Sequence, residues 1–495
     1  MIKKFIYIFT AISGILAGVS SCSLDIPPAD QYSDPDAITN VSTARSLLTS
    51  AYLLYPHYEY ELSILGDDFC QTSITGKDMS QKNLYLWQDN SITSFAETIW
   101  LEYYNTIASC NTLLERVDNI VLENASEESA KAAIISECKA LKALCYFNLL
   151  RLFAPAYDKD PQADGIVLKE RLGLEFPKRS SIEDCVSAIR TLLTEAADTE
   201  NAPEKNGWLS QTAVYYLLAE LELYAGQYGQ AAIYAEKILE QATDDMFTVA
   251  GYKRLWETAS CKGRIFAFYT AKSYYADIQF NETSGDYFAL NPQIVYGEED
   301  IRKTYNVYPF EMEGEQRNLL GKYNKVNKDS ESIQYINIMR YAGAYFIATE
   351  AYSRMVGKED VAIRKLNEYL AACQATTLDE GLTGNALLQA IHLEKMKEFA
   401  GEGILYFDLK RLHSGSLSRL AKWGSSEDVK IESSDYRWCF PIPRSEYKYN
   451  ENMSQNEGWP LNRSFFYLKN KEDYEIQILF FIHIFDLSVL DCYSL

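Results

Sequence analysis

The 495-residue sequence predicts a mainly α-helical fold in which paired helices carry long irregular loops. Three observations lead there. Apolar residues recur at three- and four-residue spacing over most of the chain. One helix-pair pattern occurs twice. Two long stretches, 57–90 and 242–332, lack that period and are rich in Tyr, Gly, Asn and Asp, the composition of functional loops on a helical scaffold.

The elements follow in order. Lys3 and Lys4 precede an apolar and small-residue run from Phe5 to Val19. The run is too short for a spanning helix and fits a secretory signal. Val19-Ser20-Ser21-Cys22 resembles a bacterial lipobox, which predicts removal of residues 1–21 and a lipid on Cys22. An ordinary signal with a chance Cys is the alternative. Residues 22–36 are acidic, Pro-rich and too poor in apolar groups to fold alone, so they read as a flexible tether.

The main domain is expected over 37–461. Ala37 to Tyr55 and Ile92 to Val121 have the helical period, the second with Trp100, Tyr104, Ile107, Asn111 and Leu114 along one stripe. Leu62 to Gly66 reads as a strand-like run. Ser126-Glu-Glu-Ser opens the next helix, which runs to near Pro155. Ser180-Ser-Ile-Glu183 has capping-box spacing with Ser180 as the cap, and its helix ends near Ala197.

Gln211–Tyr224 and Gln230–Gln241 then form a pair joined by Ala225-Gly-Gln-Tyr-Gly229. Ala213, Leu217, Ala219, Gly226, Tyr228 and Ala231 resemble a tetratricopeptide unit, whose small residues let helices approach closely. Ile336–Arg354 and Asp360–Ala372 make a second pair, which supports a short solenoid. Residues 462–495 are an atypical tail with an apolar run from Glu475 to Leu490. An aberrant extension is one reading, an edge strand or packing tail the other.

Composition narrows the function. The formal net charge is −22, which opposes binding to nucleic acid or to flat anionic lipid surfaces. Thirty-seven Tyr, 22 Phe and 7 Trp exceed what helix packing alone asks. Their rings pair an apolar face with a polar edge, the complement of a sugar. Ten cysteines include Cys22 and show no CxxC spacing. Cys138 and Cys145 lie seven apart on one helix, roughly 10 Å, too far for a bridge. Four scattered His include no HExxH motif. No metal or cofactor is expected, nor any nucleophile elbow or phosphate loop.

Several local patterns occur in one order. They are Leu24-Asp-Ile-Pro-Pro; Trp100-x3-Tyr104-x2-Ile107-x3-Asn111; Glu137 to Phe147; Asp300-Ile-Arg302; Arg340-Tyr-Ala342 with Thr349-Glu-Ala351; Glu398-Phe-Ala-Gly-Glu402-Gly403 with Tyr406-Phe-Asp408-Leu-Lys-Arg411; Phe440-Pro-Ile-Pro443; and Gln455-Asn456-Glu-Gly458-Trp459. Together they resemble the SusD/RagB family from about Cys22 to Pro460. Three positions depart from the family pattern: Gly343, Leu405 and Glu457. The resemblance implies tetratricopeptide-like units that dock on a TonB-dependent (SusC-like) outer-membrane transporter, and loops that hold an oligosaccharide. It also implies an outer-membrane lipoprotein facing the exterior.

The candidate ligand residues lie in the two long loops. Lys82, Asn83, Tyr85, Trp87 and Asp89 interleave aromatic rings with amide, acid and base, so a ring can stack while polar groups read hydroxyls. By family position this loop also resembles the ligand-contacting one. Asp68 is a candidate acceptor, or else a turn residue beside Asp67. Tyr274, Tyr275 and Tyr287 complete the proposed platform. Glu398 and Glu402 share one helix face, unlike glycosidase acids, which flank the bond from separate elements. They read as structural, paired with Lys395 and Lys397, and Asp408 and Arg411 read likewise. The expected function is noncatalytic capture of a glycan for a transporter. The alternatives are a receptor for peptide or another nutrient and, less well supported, a surface glycosidase.

Overall fold

The computed structural model describes residues 38–461, apart from 74, 76–78, 172, 174, 271–287, 313, 325–333, 413–415 and 427. The expected signal, Cys22, the expected tether and tail, and Tyr274, Tyr275 and Tyr287 lie outside the described residues.

Helices dominate. In the first half they are α1 (Val41–Leu54), α2 (Glu59–Leu65), α3 (Met79–Tyr85), α4 (Asp89–Arg116), α5 (Ala125–Phe153), α6 (Ile182–Ala197), α7 (Gln211–Tyr224), α8 (Tyr228–Leu239) and α9 (Val249–Glu257). The second half holds α10 (Ile301–Asn306), α11 (Gly321–Asn324), α12 (Tyr341–Ser353), α13 (Glu359–Ala372), α14 (Gly384–Phe399), α15 (Ile404–Leu412) and α16 (Arg444–Lys448). The strands are β1 (Phe69–Cys70), β2 (Arg264–Thr270), β3 (Ala289–Leu290), β4 (Val307–Met312), β5 (Glu315–Leu320), β6 (Gln334–Arg340), β7 (Leu417–Leu420) and β8 (Asp428–Ile431).

The long helices stack in a chain of neighbours: α1 on α4, then α5, α6, α7, α8, α12 and α13. Local chemistry fixes their ends. Asn40 caps α1 by accepting from the Thr43 amide at 3.0 Å, and Thr43 returns the bond. Asn124, not Ser126, caps α5. Ser181 caps α6 in place of the expected Ser180, because the Ser180 backbone pairs instead with Gly165 and Ile166.

Between α7 and α8 the turn is set by Gly226 at φ +71°. The Gly226 amide donates to Leu223 O and the Gln227 amide to Glu222 O, the paired bonds of a Schellman motif. The departure at Gly343 also has a physical reason. A Cβ there would sit 2.0 Å from the Tyr216 hydroxyl, so α12 approaches α7 only with glycine at that position.

Three expectations are corrected. The run from Leu62 to Gly66 is helical, the last turn of α2. A short apolar run fits either state, and its Leu62, Ser63, Ile64 and Leu65 are all buried because α3 and α15 pack around it. The second repeat helix begins at Tyr341, since Gln334–Arg340 pairs as β6 with β2. The stretches 57–90 and 242–332 contain α2, β1 and α3, and α9 to α11 with β2 to β5. β1 and β2 were hidden because their partners are distant, β1 pairing with β3 more than 200 residues away and β2 with β6, whereas β4 and β5 pair as neighbours in sequence.

Candidate functional site

The site is built from the four-stranded antiparallel sheet, in the order β1-β3-β5-β4. Opposed residues in a sheet share a face. One face carries Phe69, Leu290, Leu320 and Val307, all buried against the core. The other carries the row Cys70, Ala289, Leu319 and Tyr308, and beside it the pair Phe310 and Arg317. Ala289 and Leu319 are buried at the centre of this second face, with half-buried Cys70, Tyr308 and Phe310 packed around them.

The β7–β8 hairpin closes over this face. Trp423, at its tip and 37% exposed, lies with its ring centre 5.0 Å from the Arg317 guanidinium. Gln71 Nε2 donates to Leu420 O at 2.6 Å and joins the hairpin to the end of β1. Arg419 is the hairpin's anchor. Its guanidinium donates to the carbonyls of Ile64, Leu65, Gly66 and Tyr85, so one side chain ties β7 to the C-terminal ends of α2 and α3. The result is an apolar floor with an accessible indole and a guanidinium at its rim. Such a face can stack on a flat ring of C–H bonds and donate hydrogen bonds to its hydroxyls.

A buried ion network supports β5 and β6 from behind. Arg340 ends β6 and donates from Nη1 to Glu398 Oε1 at 2.6 Å and from Nε to Glu402 Oε2 at 2.9 Å. Lys322, in α11 just past β5, donates to Glu402 Oε1 at 2.5 Å and to Glu398 O at 2.7 Å. Tyr369 and Tyr252 also donate to Glu398. Burial alone would raise the Glu398 pKa, but the guanidiniums of Arg340 and Arg302 outweigh it and hold the carboxyl below its usual range. The partners differ from those expected: Lys395 pairs with Asp408, and Lys397 with Glu394. Arg302 joins Asp300 to Glu394 in the same region. Two buried carboxylates gripped by one guanidinium are not placed to flank a glycosidic bond.

The predicted residues divide. Lys82 and Asn83 are half-buried on α3, and Asp89 is exposed at the start of α4, where it accepts from the Tyr436 hydroxyl at 2.8 Å. Tyr85 is 4% exposed, its ring 4.4 Å from the Arg419 guanidinium. Trp87 is fully buried, 4.5 Å from the Trp438 ring, and its Nε1 donates to Leu65 O at 3.1 Å. A ring with no accessible surface cannot stack on a ligand, so Trp87 serves the core. Asp68 is fully buried too. Trp423, Arg317, Tyr308 and Phe310 were missed. The alternation Val307-Tyr-Pro-Phe-Glu in β4 was their only sequence signal.

Asp68 has its own consequence. Burial lifts its carboxyl to about 7, against the pull of Ser63 and Lys322. In the unfolded chain it titrates near 3.9. Between those values the unfolded state holds fewer protons, so this group's contribution is full below about pH 4 and is lost as pH rises towards 7. Asp68→Asn removes that loss. Relative to wild type, the variant should gain about 2 kcal/mol on moving from pH 5 to pH 8. Urea unfolding at the two pH values checks it, and an equal difference at both would refute the assignment.

Comparison with known proteins follows from this geometry. Residues 246–459 match the SusD family model, and residues 29–223 match a family described as starch-binding and associating with the outer membrane. The chain belongs to the SusD/RagB family. Solved SusD structures share the fold. A SusD superfamily protein from Bacteroides thetaiotaomicron superposes with a TM-score of 0.70 at 21% identity, over 84% of this chain and 100% of that one. A SusD-like carbohydrate-binding protein from Bacteroides vulgatus gives 0.68 at 19%, over 84% and 97%. A laminarin-binding SusD-like protein gives 0.63 at 18%, over 85% and 100%. No curated protein matches the chain. Membership explains the order of the short motifs. In this SusD/RagB chain, Gln455 and Asn456 bond the backbone of Ile442, Phe440 and Phe153 and strap the C-terminal segment to the end of α5. Among the described residues no helix is long and apolar enough to cross a membrane.

Proposed function

We propose that this protein is a noncatalytic glycan-binding lipoprotein of the cell surface, anchored through Cys22, that captures an oligosaccharide or polysaccharide and delivers it to a TonB-dependent outer-membrane transporter. The observation that carries the binding half is the outer face of the four-stranded sheet, where Trp423 lies over Arg317 beside Tyr308 and Phe310. An accessible indole, aromatic floor and guanidinium match a sugar's C–H face and hydroxyl rim. Lys82 and Asn83 on nearby α3, and Tyr274, Tyr275 and Tyr287 of the same chain, are proposed to extend that contact. The family match supports the delivery half and the association with the outer membrane. The lipobox at Cys22 supports the anchor.

The test is calorimetry of the purified protein against a glycan panel. Wild type is expected to bind one glycan class saturably and with modest affinity, because desolvating hydroxyls offsets much of the stacking gain. Trp423→Ala should weaken that binding at least tenfold while leaving the melting temperature unchanged, since the ring is partly in solvent. Undiminished binding in Trp423→Ala would remove the sheet face from the site. Failure of every glycan, with saturable binding of a peptide, would move the function to another nutrient.

A further inference from the structure

Away from the sheet, a cavity lies where α5, α7, α15 and the segment around Tyr55 to Leu62 meet. Its volume of about 110 Å³ counts only the space in which a water's centre can sit. Each water needs roughly 10–15 Å³ of such space, so several waters, or one small ring in their place, can be held.

The walls are unlike a dry core. Tyr55, Tyr58, Tyr103, Tyr224, Phe147 and Phe407 supply aromatic surface. Arg151 is clamped between two of these rings, its guanidinium 4.2 Å from the Phe147 centre and 4.0 Å from the Phe407 centre. One nitrogen donates to Asn148 Oδ1 at 2.5 Å, but the buried Nε has no hydrogen-bond partner. Glu220 also lines the cavity, and burial raises its carboxyl. Most charged neighbours are already satisfied: Asp408 by Lys395 and Arg411, and Lys410 by the carbonyls of Arg151 and Leu152. Arg151 and Glu220 make no ion pair with each other, although each is the other's natural partner. The buried Arg151 Nε is costly to leave unbonded unless something in the cavity accepts from it, and the half-buried Glu220 carboxylate lines the same space.

We propose that this cavity is a second binding site, for a neutral hydroxylated ring of monosaccharide size. One carboxylate and one guanidinium leave the pocket without the net charge that would select an ion. Hydroxyls can donate to Glu220 and accept from Arg151, and the tyrosine and phenylalanine rings offer stacking surface. The space does not admit a polymer, so this site and the sheet face would take ligands of different size. The inference does not rest on the sheet face being a glycan platform.

The experiment is ligand-observed NMR of the purified full chain with a panel of common aldohexoses and pentoses. It compares wild type, Glu220→Gln, Ala156→Leu (which fills the cavity from its wall) and Trp423→Ala. Glu220→Gln is near-isosteric and keeps the fold, which circular dichroism verifies. One monosaccharide should bind wild type saturably, at least tenfold more weakly to Glu220→Gln, not at all to Ala156→Leu, and unchanged to Trp423→Ala. Absence of saturable monosaccharide binding overturns the proposal and leaves a water-filled cavity. So does binding that Trp423→Ala removes and Glu220→Gln spares, which would place the monosaccharide on the sheet face. Loss of polysaccharide binding in Trp423→Ala with the monosaccharide effects intact keeps the two sites separate.

Discussion

Arg340→Met is expected to cost about 3–5 kcal/mol, the range for breaking a buried ion pair from one side. Arg340 is 2% exposed and makes bonds to both Glu398 and Glu402, which are 0% and 6% exposed. Removing the guanidinium leaves two buried carboxylates, Glu398 still facing Arg302 and Glu402 held by Lys322. The same cation anchors the turn after β5, so the sheet that carries Arg317 should loosen as well. Adding Glu398→Gln to the variant should recover part of the loss, because one of the stranded charges disappears. Chemical denaturation of the single and double variants measures both effects. A single variant within about 1 kcal/mol of wild type would mean that the network is not a stabilising unit.

Trp87→Ala should be nearly as damaging, and for a reason opposite to a binding role. The indole is fully enclosed, packed on Trp438 and Tyr406. Deleting a buried aromatic of this size costs about 3–5 kcal/mol, through lost burial and the cavity left behind. Trp87 also sits at φ +53°. Its amide donates to Leu84 O and the next amide to Asn83 O, so it fills the Schellman position after α3 where glycine is usual. A bulky residue is held there only because burial of its ring outweighs the backbone strain. Alanine keeps that strain and loses the ring. Thermal unfolding should show a large drop in melting temperature. Any loss of glycan binding should track loss of fold, in contrast to Trp423→Ala. A Trp87→Ala protein of unchanged stability that no longer binds glycan would restore Trp87 to the site.

The helical half of the fold was open to reading from local pattern. Gln211–Tyr224 was placed residue for residue, and its partner and the later pair were placed to within a few residues at most ends. Gly226 signalled the turn because only a residue tolerant of positive φ closes a helix there. The strands were not legible. β1 and β3 are two residues long and owe their existence to partners far along the chain. No period of two can show itself over such a length.

The aromatic surplus predicted ring-rich surfaces but not which rings face out. Trp87 and Trp423 both sit near polar residues, Gln88 and Asp89 for one, Lys422 and Ser425 for the other. Only packing separates them. The segment after α3 turns inward onto Trp438, while the β7–β8 turn projects from the hairpin that Arg419 anchors. Similarly, Glu398 and Glu402 at a spacing of four suggested one shared helix face, but α14 ends at Phe399 and Glu402 lies in the turn beyond it. They could not reveal that Arg340, some sixty positions earlier, grips both. The sequence by itself therefore determined helix periodicity and the motif order that marks the family, both carried by patterns among neighbours within a few residues. Tertiary structure alone decided which aromatics are exposed, which charges pair and where a cavity remains, because those depend on groups brought together from distant parts of the chain.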